Sequence, residues 1–245
     1  MVAHEREGLG HSGAGDVQKA IDSGAPVVYL PNGSYEVDKT IAIKGTTKKL
    51  VGFQSSLKAK KGVTPLLRIE GNASIIFEHL YFEGDVEHAG SGTAVFRHAD
   101  FAGEAVYRAT GAGKTFIEDV IGRWSIGKGH RLWARQTNAE FGDRVLMENN
   151  GGTAWILGYK TEADAGTISL KQVGGSTEVL GALIYPLHDV RGDVPCWQVE
   201  GGGRFSASWV YNSKRYYVHV RHEGKDLTGN WGRGPALWST EAGPK

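Results

Sequence analysis

Two segments place a tryptophan and a glutamate at the same spacing: WARQTNAE, residues Trp133–Glu140, and WILGYKTE, residues Trp155–Glu162. Each runs from Trp through six residues to Glu, and equivalent positions are 22 residues apart. Hydrolysis of a glycosidic bond needs a protonated acid at the leaving oxygen and a second carboxylate as base or nucleophile. Sugar rings present C–H faces that pack on aromatic planes. Glu162 and Glu140 are therefore the first catalytic candidates. Thr177-Glu178 echoes Thr161-Glu162 16 residues on, which makes Glu178 the third. Trp133 and Trp155 are either sugar subsites or stacked core aromatics. Tyr159 and Lys160 precede Glu162, and Lys160 could keep a nearby carboxylate charged. Gln136 and Asn138 could hydrogen-bond sugar hydroxyls. Asn149 and Asn150 read more simply as turn residues.

Other chemistry is weaker. Lys128, His130 and Arg131 could take a proton from a uronate carbon, but no set of aspartates for calcium accompanies them, so they read as a basic turn. Gly111–Thr115, GAGKT, has Arg108 where a phosphate loop needs its first glycine, and a strand-like FIEDV follows instead of a helix. The histidines show no metal spacing, and the lone Cys196 excludes an internal disulfide and reads as a small buried hydrophobe. No metal and no cofactor is expected.

A 22-residue period is too short for a helical repeat and suits one turn of a β-solenoid, whose neighbouring strands lie about 4.7–4.9 Å apart. In register, Trp133 stacks on Trp155 and Glu140 on Glu162. Short apolar or alternating runs separated by turn residues fill the chain, among them Val27–Leu30, Ile75–Phe82, Thr115–Val120, Ala154–Leu157, Val179–Ile184 and Phe205–Val210. The one convincing helix is Asp16–Asp22, with Val17, Ala20 and Ile21 on one face and Gly24 as its stop. The expected fold is all-β: a single right-handed parallel β-helix of about 11 coils, its first edge covered by that helix. The chain reads as one module, with residues 1–15 as an extension, 16–24 as the cap, and a tail that frays after Gly229.

Composition narrows the partners. The 28 basic and 27 acidic residues nearly balance, so nucleic acid is not indicated. No apolar run is long enough to span a membrane as a helix. The first fifteen residues lack a signal peptide's apolar stretch.

Residues 16–53, which contain QKAIDSG and VVYLPNGSY, resemble the opening of the pectate-lyase-like right-handed parallel β-helices. The block from Trp133 to Glu162, followed by STEVLGALIYP, resembles the second β-helix of the exo-β-1,3-glucanases of glycoside hydrolase family 55 and their bacterial relatives. That resemblance implies a secreted or periplasmic protein acting on β-1,3-glucan or a related neutral polysaccharide. It implies Glu162 as the general acid and Glu140 as its neighbour. Members of that family place substrate between two β-helices, so a second module or a second copy of the chain is an implied partner. Uronate cleavage on the same fold and carbohydrate binding without catalysis are the competing readings, which fold alone does not separate.

Overall fold

The computed structural model describes residues 14–140, 142–212, 214–229 and 234–240. It divides into two compact units, Met1–Ile121 and Gly122–Lys245, where no linker or composition shift marks a boundary. Both are parallel β-solenoid, and together they supply about nine turns. The sequence-based expectation of 11 fails because the turns are unequal. Trp133 pairs with Trp155 after 22 residues, but Glu178 pairs with Ser206 after 28.

In the first unit one sheet carries the strands Val27–Leu30, Lys49–Ala59, Ile75–Glu83, Thr93–Phe101 and Lys114–Ile121, all parallel. A second sheet of short strands, Ile41–Ile43, Leu67–Ile69, Val86–His88 and Val106–Ala109, closes each turn. Alternate residues point inward, and aligned aromatics stack there: Phe77 on Phe96 and Phe82 on Phe101, each at 4.9 Å. The helix Ala14–Asp22 buries Val17, Ala20 and Ile21 against the first strands, as its periodicity requires. Gln18 adds what the periodicity does not show. Its side-chain amide accepts from Ala42 N at 2.8 Å and donates to Ala42 O at 3.1 Å. Those are ladder groups of Ile41–Ile43, the last strand of its sheet, so the helix answers an open edge that would otherwise template pairing.

The second unit repeats the scheme with longer strands. Arg131–Ala139, Thr153–Ala163, Ser176–Pro186 and Arg204–Tyr211 are parallel, and Ala236–Ser239 closes them antiparallel. The chain therefore does not simply fray after Gly229: Trp238 packs against Phe205 and His222. The partner sheet runs Arg123–Gly127, Val145–Asn150, Ile168–Val173, Pro195–Glu200 and Val218–His222, closed antiparallel by Lys225–Thr228. Trp197, Trp209 and Phe205 fill its core. Cys196 lies among them fully buried, bonded to Ser169 Oγ, and burial pushes its thiol up to about 12.

Most of the long strands bend near the middle at a residue in the left-handed region. In the first unit these are Gln54, His79, His98 and Asp119, with φ of 54°, 56°, 47° and 54°. Such values are uncommon outside glycine. Here stacking of the His79 and His98 rings at 5.0 Å and a 2.9 Å bond from His98 Nδ1 to Asp119 Oδ2 knit the row together. In the second unit the bend falls at Gln136, Gly158 and Gly181. It splits the outer face of that sheet into two panels.

Candidate functional site

The first panel of the second unit is set by two buried amides. Asn149 Nδ2 donates to Ser176 O at 3.2 Å and Thr177 Oγ1 at 2.8 Å, and Asn149 Oδ1 accepts from Gly152 N at 2.8 Å. Gln172, in register with Asn149 one turn on, donates to Arg204 O at 2.9 Å. The turns that launch the strands bearing Trp155, Glu178 and Arg204 are therefore held from inside. Gly152 fits there because a Cβ would lie 2.6 Å from Ile126 Cγ2. Asn149 thus satisfies neighbouring turns, as expected, although it sits in the strand Val145–Asn150, and Gln172 is its unpredicted partner. Only the register, invisible in the sequence, links the two.

Trp133 and Trp155 pair directly and stack at 5.1 Å with an interplanar angle of 15°. Both stand outside the core, Trp155 being 38 % exposed. Because the rings stack along the solenoid, one face of Trp155 is covered by Trp133, and its other face turns toward the next strand. The residue there is Glu178, followed by Ser206 and Ser239.

This corrects one sequence expectation. Glu178 belongs to the tryptophan row, not to the acidic one: the turn from Trp155 to Glu178 has 23 residues, so the 16-residue Thr-Glu echo is not a structural repeat. The residue that follows Glu162 in its own row is Tyr185.

The second panel carries the acid pair. Ala139 pairs with Thr161, so Glu140 and Glu162 occupy adjacent turns on the same face. Lys160 Nζ lies between them and donates to Oε1 of each at 2.5 Å. Asn138, beside Lys160 in the register, donates to Glu140 Oε1 at 2.5 Å. Burial acts most strongly on the Lys160 ammonium and favours its neutral form. The hydrogen bonds and charges of Glu140 and Glu162 together outweigh that and hold it above the ordinary lysine range. One cation thus offsets the repulsion between two carboxylates on neighbouring strands.

Two other candidates lie elsewhere. Tyr159 is inside the core, its hydroxyl donating to Ser169 O at 2.7 Å, so it presents nothing to a ligand. Its alternation with Lys160 settles this, since neighbours on a strand face opposite ways. Gln136 occupies the exposed bend, with φ 53°. The bend also separates the two rows expected to share one site. Seven steps from Trp155 to Glu162, at about 3.3 Å each, make roughly 23 Å of strand path. Exposed Leu157 and Leu180 lie at the bend, and Leu183 lies beside Lys160.

Comparison of the chain with protein-family models, curated proteins and solved structures found no match.

Proposed function

We propose that the second unit recognises a neutral polysaccharide on the outer face of its long-strand sheet. The observation that carries this reading is the Trp133–Trp155 stack, held outside the core with Trp155 exposed to solvent. Nothing in the core needs that indole, and a pyranose C–H face is a natural cover for it. Glu140, Glu162 and Glu178 all project from the same sheet face and disfavour a uronate. His130, the base a lyase could have used, is fully buried and out of reach of a polymer.

A second reading is hydrolysis of a β-1,3-glucan with Glu162 as general acid, in line with the family resemblance. The paired carboxylates favour it. Oxygens that share one ammonium at 2.5 Å each are no further apart than twice that distance. That is at or below the retaining separation of about 5–5.5 Å and short of the roughly 6.5–9.5 Å that leaves room for an inverting water, the outcome the family resemblance implies. Lys160 tells against it. Both carboxylates accept from the ammonium, whereas a general acid must carry the proton itself. Binding therefore leads, and such a ligand would be met outside the cytoplasm.

Calorimetric titration with a β-1,3-gluco-oligosaccharide tests the reading. Covering about 60 Å² of indole at about 25 cal/mol/Å² is worth about 1.5 kcal/mol, so Trp155→Ala should weaken binding about tenfold. Unchanged affinity would remove the platform. Sugar release by the wild type that Glu162→Gln abolishes would promote the second reading.

A further inference from the structure

The row that begins Trp133, Trp155 loses bulk as it climbs the solenoid: indole gives way to the Glu178 carboxylate, then to Ser206 and Ser239. Side chains of equal size would close the ladder, as the two tryptophans do. Here the decrease leaves a cavity of about 300 Å³ lined in part by Trp155. Glu178 and Arg204 contribute its charged groups, and Thr153, Ser176 and Ser206 contribute hydroxyls. The closing antiparallel strand Ala236–Ser239 bounds it.

Glu178 differs from the other carboxylates of this face. Glu140 and Glu162 are tied to Lys160, but Glu178 makes no hydrogen bond or ion pair with another described residue. A half-buried acceptor beside a part-exposed indole and a set of hydroxyls is a recognition surface without its ligand chemistry supplied from within the fold.

We propose that this cavity is a binding pocket for one neutral pyranose ring, packed by its C–H face on Trp155, with adjacent ring hydroxyls donating to Glu178 and accepting from Arg204. The volume is at the lower end of small-ligand sites, about 300–1,000 Å³. A hydroxyl both donates and accepts, so a diol satisfies a carboxylate and a guanidinium together. A uronate is repelled by Glu178 and an amino sugar by Arg204. The ligand class rests on the carbohydrate reading above; the location and the residues are additional to it.

The test measures dissociation constants for a β-1,3-gluco-oligosaccharide and for an oligogalacturonate with the full chain, and with Glu178→Gln, Ser206→Phe and Trp155→Ala. Ser206→Phe fills the cavity without removing a charged group, and Glu178→Gln removes the charged acceptor while keeping its shape. Each should weaken the neutral ligand about tenfold or more, the low end for a lost charge-assisted bond, with the melting temperature unchanged for Glu178→Gln. If only Trp155→Ala weakens binding, the pocket is overturned and the tryptophan platform stands. If the oligogalacturonate binds as tightly as the glucan, the neutral class is overturned. If the wild type binds neither, the pocket and the carbohydrate reading fall together. Should Ser206→Phe not fold, Glu178→Gln decides alone.

Discussion

Lys160→Met should destabilise the second unit in a way that removing one carboxylate repairs. Methionine keeps much of the apolar stem but removes the ammonium that Glu140 and Glu162 share. Two attractions are lost, and a carboxylate pair is left whose oxygens lie no more than twice 2.5 Å apart. At about 5 Å, unit charges repel by about 0.8 kcal/mol in water and about 3 kcal/mol at an effective dielectric near 20. The three side chains are 25, 32 and 33 % exposed, so neither limit applies alone. Exposed pairs contribute about 0.2–1 kcal/mol each, which brings the expected loss at pH 7 to about 1–3 kcal/mol. At about 2–4 °C per kcal/mol for a chain of this size, melting should fall by several degrees. Adding Glu140→Gln to Lys160→Met should recover part of the loss at pH 7. Thermal melts of the wild type, the single variant and the double variant at pH 7 test this. A Lys160→Met protein that melts with the wild type at pH 7, or a double variant with no recovery, would refute the clasp.

Three further outcomes are expected. His219 is buried between Tyr211 OH, 2.8 Å from Nδ1, and Gly229 O, 2.9 Å from Nε2; burial chiefly, with Arg215 adding to it against the Gly229 bond, holds it below its ordinary value. Its neutral form is the one the fold prefers, so this contribution is complete above about pH 6.5 and is lost as pH falls through the lower folded value; wild type should lose stability between pH 7 and pH 5 relative to His219→Phe in denaturant titrations. Asn149→Ala strands the Gly152 amide in a buried turn and should cost at least about 2 kcal/mol, read from the same titrations. Gln18→Ala removes the ladder bonds to Ala42 and should raise amide exchange over Ile41–Ile43 without changing exchange at Trp197.

What the sequence displayed was whatever repeats. The Trp-x6-Glu echo carried the register of two turns, and the Trp133–Trp155 stack and the Glu140–Glu162 adjacency follow from it residue for residue. The helix Ala14–Asp22 was legible because its apolar positions are local. The placement of Glu178 was not, since solenoid turns differ in length and a two-residue echo at the wrong interval looks like a repeat. The bend at Gln136, Gly158 and Gly181 was hidden too: a single left-handed residue leaves the alternation on either side intact, yet it moves Trp155 and Glu162 onto different panels. Lys160 is visible in the sequence as a neighbour of Glu162, but its position between both carboxylates depends on cross-strand geometry.

The central claim is that a neutral glycan docks on the outer face of the second unit at Trp155. Indole N–H resonances of the full chain, recorded during titration with a β-1,3-gluco-oligosaccharide, test it most directly. Trp155 and its stacking partner Trp133 should shift with saturation, while the buried Trp124, Trp197 and Trp209 stay in place. No saturable shift, or shifts confined to the buried indoles, would contradict it.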